Sequence, residues 1–119
     1  MKVEFVKECR NKQLGDYFYR NGELVFQILQ STDINTLLVL VHEIVEFLLI
    51  TKKGLSIEDV DKWDKEHEEI DAEPGSLPGC SYRYEHAFAE SIERLILAQM
   101  EKDFTEYENE LMGSYGSQY

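Results

Sequence analysis

The stretch DYFYRNGELVFQIL, residues 16–29, decides the fold. Asn21-Gly22 is the favoured pair for a type I′ turn, because both positions tolerate a positive φ. Aromatic and β-branched residues flank it on both sides, so the spacing predicts a β-hairpin with strands at about 16–20 and 23–29. Upstream, Lys2–Val6 alternates apolar and charged residues and reads as a further strand.

Downstream the period changes. Thr32 or Asp33 can cap a helix that runs to Lys52-Lys53, two basic residues suited to a helix C-terminus. Gly54 then supplies a left-handed stop, with Leu55 as the hydrophobic follow-on. Ser56 and Asp59 form a capping-box pair for a second helix, with Ile57, Val60, Trp63 and Ile70 as its apolar stripe. DAEPGSLPGC, 71–80, holds both prolines of the chain and reads as a loop. A third helix is expected from about Tyr82 to Lys102, burying Phe88, Ile92, Leu95, Ile96, Leu97 and Met100. A short fourth follows Asp103, which caps it together with Glu106. GSYGSQY, 113–119, reads as a disordered Gly/Ser/Tyr tail. Strands followed by helices indicate an α+β domain over residues 1–112: an N-terminal strand plus a hairpin, with three to four helices packed on the small sheet.

The 119 residues suit one domain with one core. The 43% hydrophobic and 12% aromatic content argues against a disordered chain. The longest apolar run is five residues, so no membrane span is expected, and MKVEFVKECR lacks a signal-peptide core. Cys9 and Cys80 are the only cysteines and read as reduced thiols of a cytoplasmic protein. A net charge of −12 repels phosphate backbones, so nucleic acid is not an expected partner. The edge strand of the hairpin offers a route to a homodimer.

Chemistry enters at LVLVHEIVEFLLI, 38–50, where His42, Glu43 and Glu46 form a polar island in an apolar helix. A buried charge without a partner costs several kcal/mol, so something must meet them. His42 and Glu46 stand four apart on one helix face, and His86 and Glu90 repeat that spacing on the third helix. Two such pairs can converge on one divalent cation, zinc first, with manganese or iron as alternatives. Glu43 and Glu85, each one residue off the paired face, are the candidate proton acceptors. Asp61, Asp64 and His67 on the second helix are possible additional ligands. Tyr82, Arg83 and Tyr84, at the end of the Pro/Gly loop, are candidate ligand contacts. The competing reading is a buried ion network balanced by Arg83 or Arg94.

Three resemblances accompany these residues. VHEIVEFLL resembles the HExxH helix of minimal zincin-like metallohydrolases, with Glu46 where the second histidine of that motif stands, and EHAFAESIERL resembles their downstream ligand helix. LLVLVHEIVEFL also looks somewhat like the metal-binding helices of HD and MazG-like nucleotide hydrolases, with Glu43 in place of the Asp of HD. Over about residues 14–111, the run from GDYFY through VHEIVEFLL, the EPG loop and EHAFAESIERLILAQ to YENEL is similar to a group of small uncharacterised bacteriophage and prophage proteins. That resemblance implies a phage setting in a host cytoplasm. The expectation is a metal-dependent hydrolase acting on a small substrate, a nucleotide among the candidates. The alternatives are a non-catalytic counter-defence binder that sequesters a host signalling nucleotide or protein, and a structural interaction module.

Overall fold

The computed structural model describes residues 1–10, 12–68 and 73–116. Three strands and four α-helices follow in order: β1 (Lys2–Val6), β2 (Gly15–Arg20), β3 (Glu23–Leu29), α1 (Asp33–Lys53), α2 (Ile57–Glu66), α3 (Arg83–Gln99) and α4 (Phe104–Gly116). A single 3₁₀ turn, Pro74–Ser76, precedes α3. The fold is α+β, as the sequence predicts.

The hairpin closes at Asn21 and Gly22, whose φ values of 51° and 80° are those a type I′ turn demands. β2 and β3 are antiparallel, with Tyr17 opposite Phe26 and Gly15 opposite Ile28. β1 joins β3 in parallel, so β3 is central and the order is β1-β3-β2. α1 starts on Thr32, whose side chain accepts from the Asn35 amide. It stops on Gly54 at φ 90°, with the Leu55 amide reaching back to the Ile50 carbonyl at 3.0 Å. The Ser56/Asp59 capping box opens α2 as expected.

α1 lies between the sheet and α3, and α1 and α3 run antiparallel: Lys53 meets Glu85 at one end and His42 meets Glu93 further along. The apolar core divides into two clusters. Tyr17, Phe26, Ile50, Val60, Cys80 and Tyr82 form one. Ile28, Leu38, Val39, Leu97, Tyr107 and Leu111 form the other. Along α1 the polar island falls between them.

Two expectations change, and a third falls outside the described residues. The inward face of α3 is not its most apolar one: Ala89, Glu93 and Leu97 are buried, whereas Phe88, Leu95 and Met100 are exposed. Helix α4 continues through residues 113–116, so helix takes the first part of the predicted tail; residues 117–119 lie outside the described residues. Ile70, assigned to the α2 stripe, also lies outside them, and α2 ends at Glu66.

The revised α3 face can be measured. Leu97→Ala removes a side chain 1% exposed and should cost about 2–5 kcal/mol in urea unfolding, whereas Met100→Ala should stay within about 0.5 kcal/mol. Equal losses would contradict the burial pattern.

Candidate functional site

Glu46 is the point of convergence. It is 5% exposed and sits on the face of α1 that looks toward α3 and the hairpin. One turn earlier on the same helix, His42 places Nε2 3.1 Å from Glu46 Oε2. From α3, His86 places Nδ1 3.0 Å from the same oxygen. From β2, Tyr17 donates its hydroxyl to the other oxygen, Oε1, at 2.7 Å. The alternation of β2 aims Tyr17 inward beside Phe26 and Phe47, so an aromatic of the hairpin serves both core and site.

Each imidazole is held from behind by a second carboxylate. His42 Nδ1 pairs with Glu93, whose other oxygen accepts from the Tyr107 hydroxyl of α4 at 2.5 Å. His86 Nε2 pairs with Glu73 Oε2 at 2.8 Å. The two rings lie edge to face, 4.9 Å between centroids. One ligand atom each from His42, Glu46 and His86 fits within 4.8 Å of the others. Such a set, with both far ring nitrogens oriented by carboxylates, could hold a metal ion.

The loop before α3 is locked against this cluster. Trp63 Nε1 donates to the Pro74 carbonyl at 2.8 Å. A β-carbon on Gly75 would come within 2.7 Å of the His86 ring, so the backbone here approaches the imidazole as only glycine allows. At Gly15 a β-carbon would lie 2.7 Å from Glu43 Cγ and 2.9 Å from Val39 Cγ1.

Glu43 differs from its neighbours. It is 8% exposed and faces the same cavity, yet among the described residues its nearest charged partner is His42 Nε2 at 3.8 Å, beyond hydrogen-bond reach. Burial pushes its carboxyl well above the ordinary range, and the charge on Glu46 adds to the rise. Glu46 moves the other way: burial opposes its charge, but the bonds from His42 and His86 prevail and hold it at about 2. For the two imidazoles burial favours the neutral form, yet hydrogen bonds to Glu46 and Glu93 raise His42 to about 11, and those to Glu46 and Glu73 raise His86 to about 10. The cavity spans about 690 Å³ between the hairpin, α1, α2, the Pro74 turn, α3 and α4, within the range of small-ligand sites.

The predicted residues are thus only partly brought together. His42, Glu46 and His86 form the cluster, with Glu43 beside it. Glu90 lines the cavity but pairs with Arg94, leaving Glu93, one turn further along α3, to meet His42. Glu85 does not line the cavity; it pairs with Lys53 of α1 at 3.0 Å near the start of α3. Asp61 pairs with Arg10 at 2.9 Å, and His67 stacks on Trp63 while its Nδ1 meets the Trp63 carbonyl. Asp64 lines the cavity and accepts from the Tyr82 hydroxyl, with burial raising its carboxyl to about 7 despite that bond. Tyr82 is buried in the cavity wall, whereas Arg83 and Tyr84 are exposed and outside it. Neither Arg83 nor Arg94 balances the island; the two imidazoles do.

Sequence reading alone did not assign Glu73, Tyr17 and Tyr107 to the site. The sequence offers Glu93 as an exposed residue or as a support behind the site, and its place seven residues after His86 on the same helix face favours the second. Comparison of the chain with protein-family models, curated proteins and solved structures finds no match.

The raised imidazoles set a pH dependence for chelator-treated protein. Their folded pKa values exceed the unfolded value, so their contribution is complete below about pH 6.5 and is lost as pH rises through 10 to 11. Midpoints of urea unfolding should therefore fall steadily above pH 6.5, and the fall should be weaker in His42→Gln. A flat profile in the chelated wild type would show that the imidazoles carry no such proton.

Proposed function

We propose that the chain binds one divalent cation, zinc foremost, through His42 Nε2, Glu46 and His86 Nδ1, and uses it for hydrolysis of a small substrate. The observation that carries this reading is the convergence of two imidazole nitrogens on one carboxylate oxygen while Glu93 and Glu73 hold the far nitrogens. A cation there replaces the protons that the rings otherwise need beside Glu46. Three protein ligands leave a position for water, which distinguishes a catalytic from a closed structural zinc site.

The donor set also makes chemical sense of the HExxE pattern. Two imidazoles and one carboxylate form a His₂Glu set, one of the ligand sets of catalytic zinc. In this chain the carboxylate is the fourth residue after His42, and the second imidazole comes from α3. The sequence resemblance to zincin-like hydrolases therefore extends to ligand chemistry, with the order of ligands exchanged. Glu43 follows His42 directly and carries a carboxylate without a hydrogen-bond partner among the described residues, as a proton acceptor for bound water requires. A cation held by His42, Glu46 and His86 would supply Lewis acidity and a more acidic water, and its charge would keep Glu43 ionised to take the proton.

Among the described residues, lining carboxylates outnumber basic groups, of which only Lys12 joins the two histidines. A nucleotide would enter with its phosphates neutralised by a cation, and a neutral or amine-bearing substrate would enter unaided. The resemblance to phage proteins supports the cytoplasm of an infected cell as the setting of this activity. A second reading, a metal-free ion network, has its own support: among the described residues no side-chain nitrogen or oxygen fully sealed from solvent lacks a hydrogen-bond partner, and the Glu43 oxygens face the cavity.

Metal analysis and turnover separate them. Purified protein should retain about one zinc per chain after dialysis, and Glu93→Gln should weaken zinc binding by about 10- to 100-fold. Glu43→Gln should keep the metal but lose about 10²–10⁴ in turnover on a panel of nucleotides, amides and peptides supplied with Zn²⁺ or Mn²⁺. Wild type and Glu43→Gln behaving alike on every substrate would remove hydrolysis. Absence of stoichiometric metal, with melting unchanged by chelation, would favour the ion network.

A further inference from the structure

Helix α1 has a buried face that carries the site and an exposed apolar face that the site does not explain. Asn35, Val39, His42, Glu43, Glu46 and Ile50 face inward. On the opposite side Leu37, Ile44 and Leu48 succeed one another at helical spacing, with Leu37 54% and Leu48 59% exposed. Leu95, 63% exposed, and Phe88 present an apolar face on the neighbouring α3. The sheet adds to this surface. β1 pairs Phe5 with Ile28, so both side chains point to the same face of the sheet. Ile28 is fully buried there, but Phe5 remains 50% exposed, because the helices do not reach over β1.

We propose that this face, formed by α1 and α3 and extended toward β1, is the contact between two copies of the chain. Size, charge and shape support a second copy. A 21-residue helix is about 30 Å long, and two helices side by side are about 20 Å wide, so each copy offers about 600 Å². Two copies together bury about 1,200 Å², the lower end of specific stable interfaces. Ile34, Leu37, Val41, Ile44 and Leu48 put no charge on the outer stripe of α1, although the chain carries −12. A basic partner would be drawn to the acidic surfaces elsewhere. The same net charge opposes an anionic lipid surface, even though α1 is, among the described residues, the one helix long and apolar enough to cross a membrane. Two antiparallel helices meeting their own copies across a two-fold axis form a four-helix layer, the packing such faces favour. The metal-site residues lie on the opposite side of α1, so the contact leaves the cavity open.

Sedimentation velocity of the full chain at about 50 μM should show a species of twice the 14.0 kDa chain mass. Leu48→Glu combined with Leu95→Glu should raise the dimer dissociation constant about 100-fold or more, because four carboxylates would enter a dry interface. Leu37→Lys, at a third exposed position, should weaken the dimer in the same direction. The circular dichroism of all variants should stay unchanged, since these side chains are outside the core. A wild-type monomer at 50 μM, or a dimer insensitive to these substitutions, overturns the proposal. So does a monomer that floats with phosphatidylcholine–phosphatidylglycerol vesicles, which would assign the face to lipid.

Discussion

The burial of Glu46 is the constraint on which the rest depends. A carboxylate 5% exposed between two apolar clusters must be compensated, and it draws one partner from each surrounding element. Tyr17 comes from the hairpin, His42 from one turn back on α1, and His86 from α3. Glu93 and Glu73 then answer the imidazoles, and Tyr107 answers Glu93, so α4 and the Pro74 turn are drawn in as well. Losing any one member would leave another buried group unmatched, and that cost exceeds the worth of a single hydrogen bond.

This arrangement links architecture to chemistry. The hairpin and α3 fix the two sides of α1, and the glycines at 15 and 75 let backbone approach Glu43 and His86 closely. Rigid helices carry all three members of the cluster, while the loop contributes only the carboxylate behind His86. That division suits a site whose near atoms must be held precisely and whose outer carboxylates tune the rings. Glu43 beside them is left without a hydrogen bond among the described residues.

Much of this was legible in the sequence because it rests on local rules. Asn21-Gly22 specifies its turn, Thr32 and Gly54 bound α1, and the four-residue spacing of His42 and Glu46 puts them on one face. Repetition of that spacing on α3 points to His86, which meets Glu46, and to Glu90, which pairs with Arg94 instead, since the antiparallel approach of the helices brings Glu93 to His42. The apolar stripe on α3 misled for a related reason. Its inward face is occupied by His86 and Glu93 around Ala89, so hydrophobicity pointed outward, to Phe88 and Leu95. Glu73 sits in an irregular segment, where no period marks which way a side chain points. Tyr17 carries no sequence signal of its place in the site, because its ring is an ordinary packing aromatic and only its hydroxyl reaches Glu46.

The central claim concerns what lies between His42, Glu46 and His86. X-ray absorption at the zinc edge of protein loaded with one equivalent of Zn²⁺ reads that directly. The account predicts a four-coordinate ion with two imidazole nitrogens at about 2.0–2.1 Å and oxygen donors completing the shell, and loss of one imidazole contribution in His86→Ala. A spectrum of fully hydrated zinc, or one unchanged in His86→Ala, would contradict it.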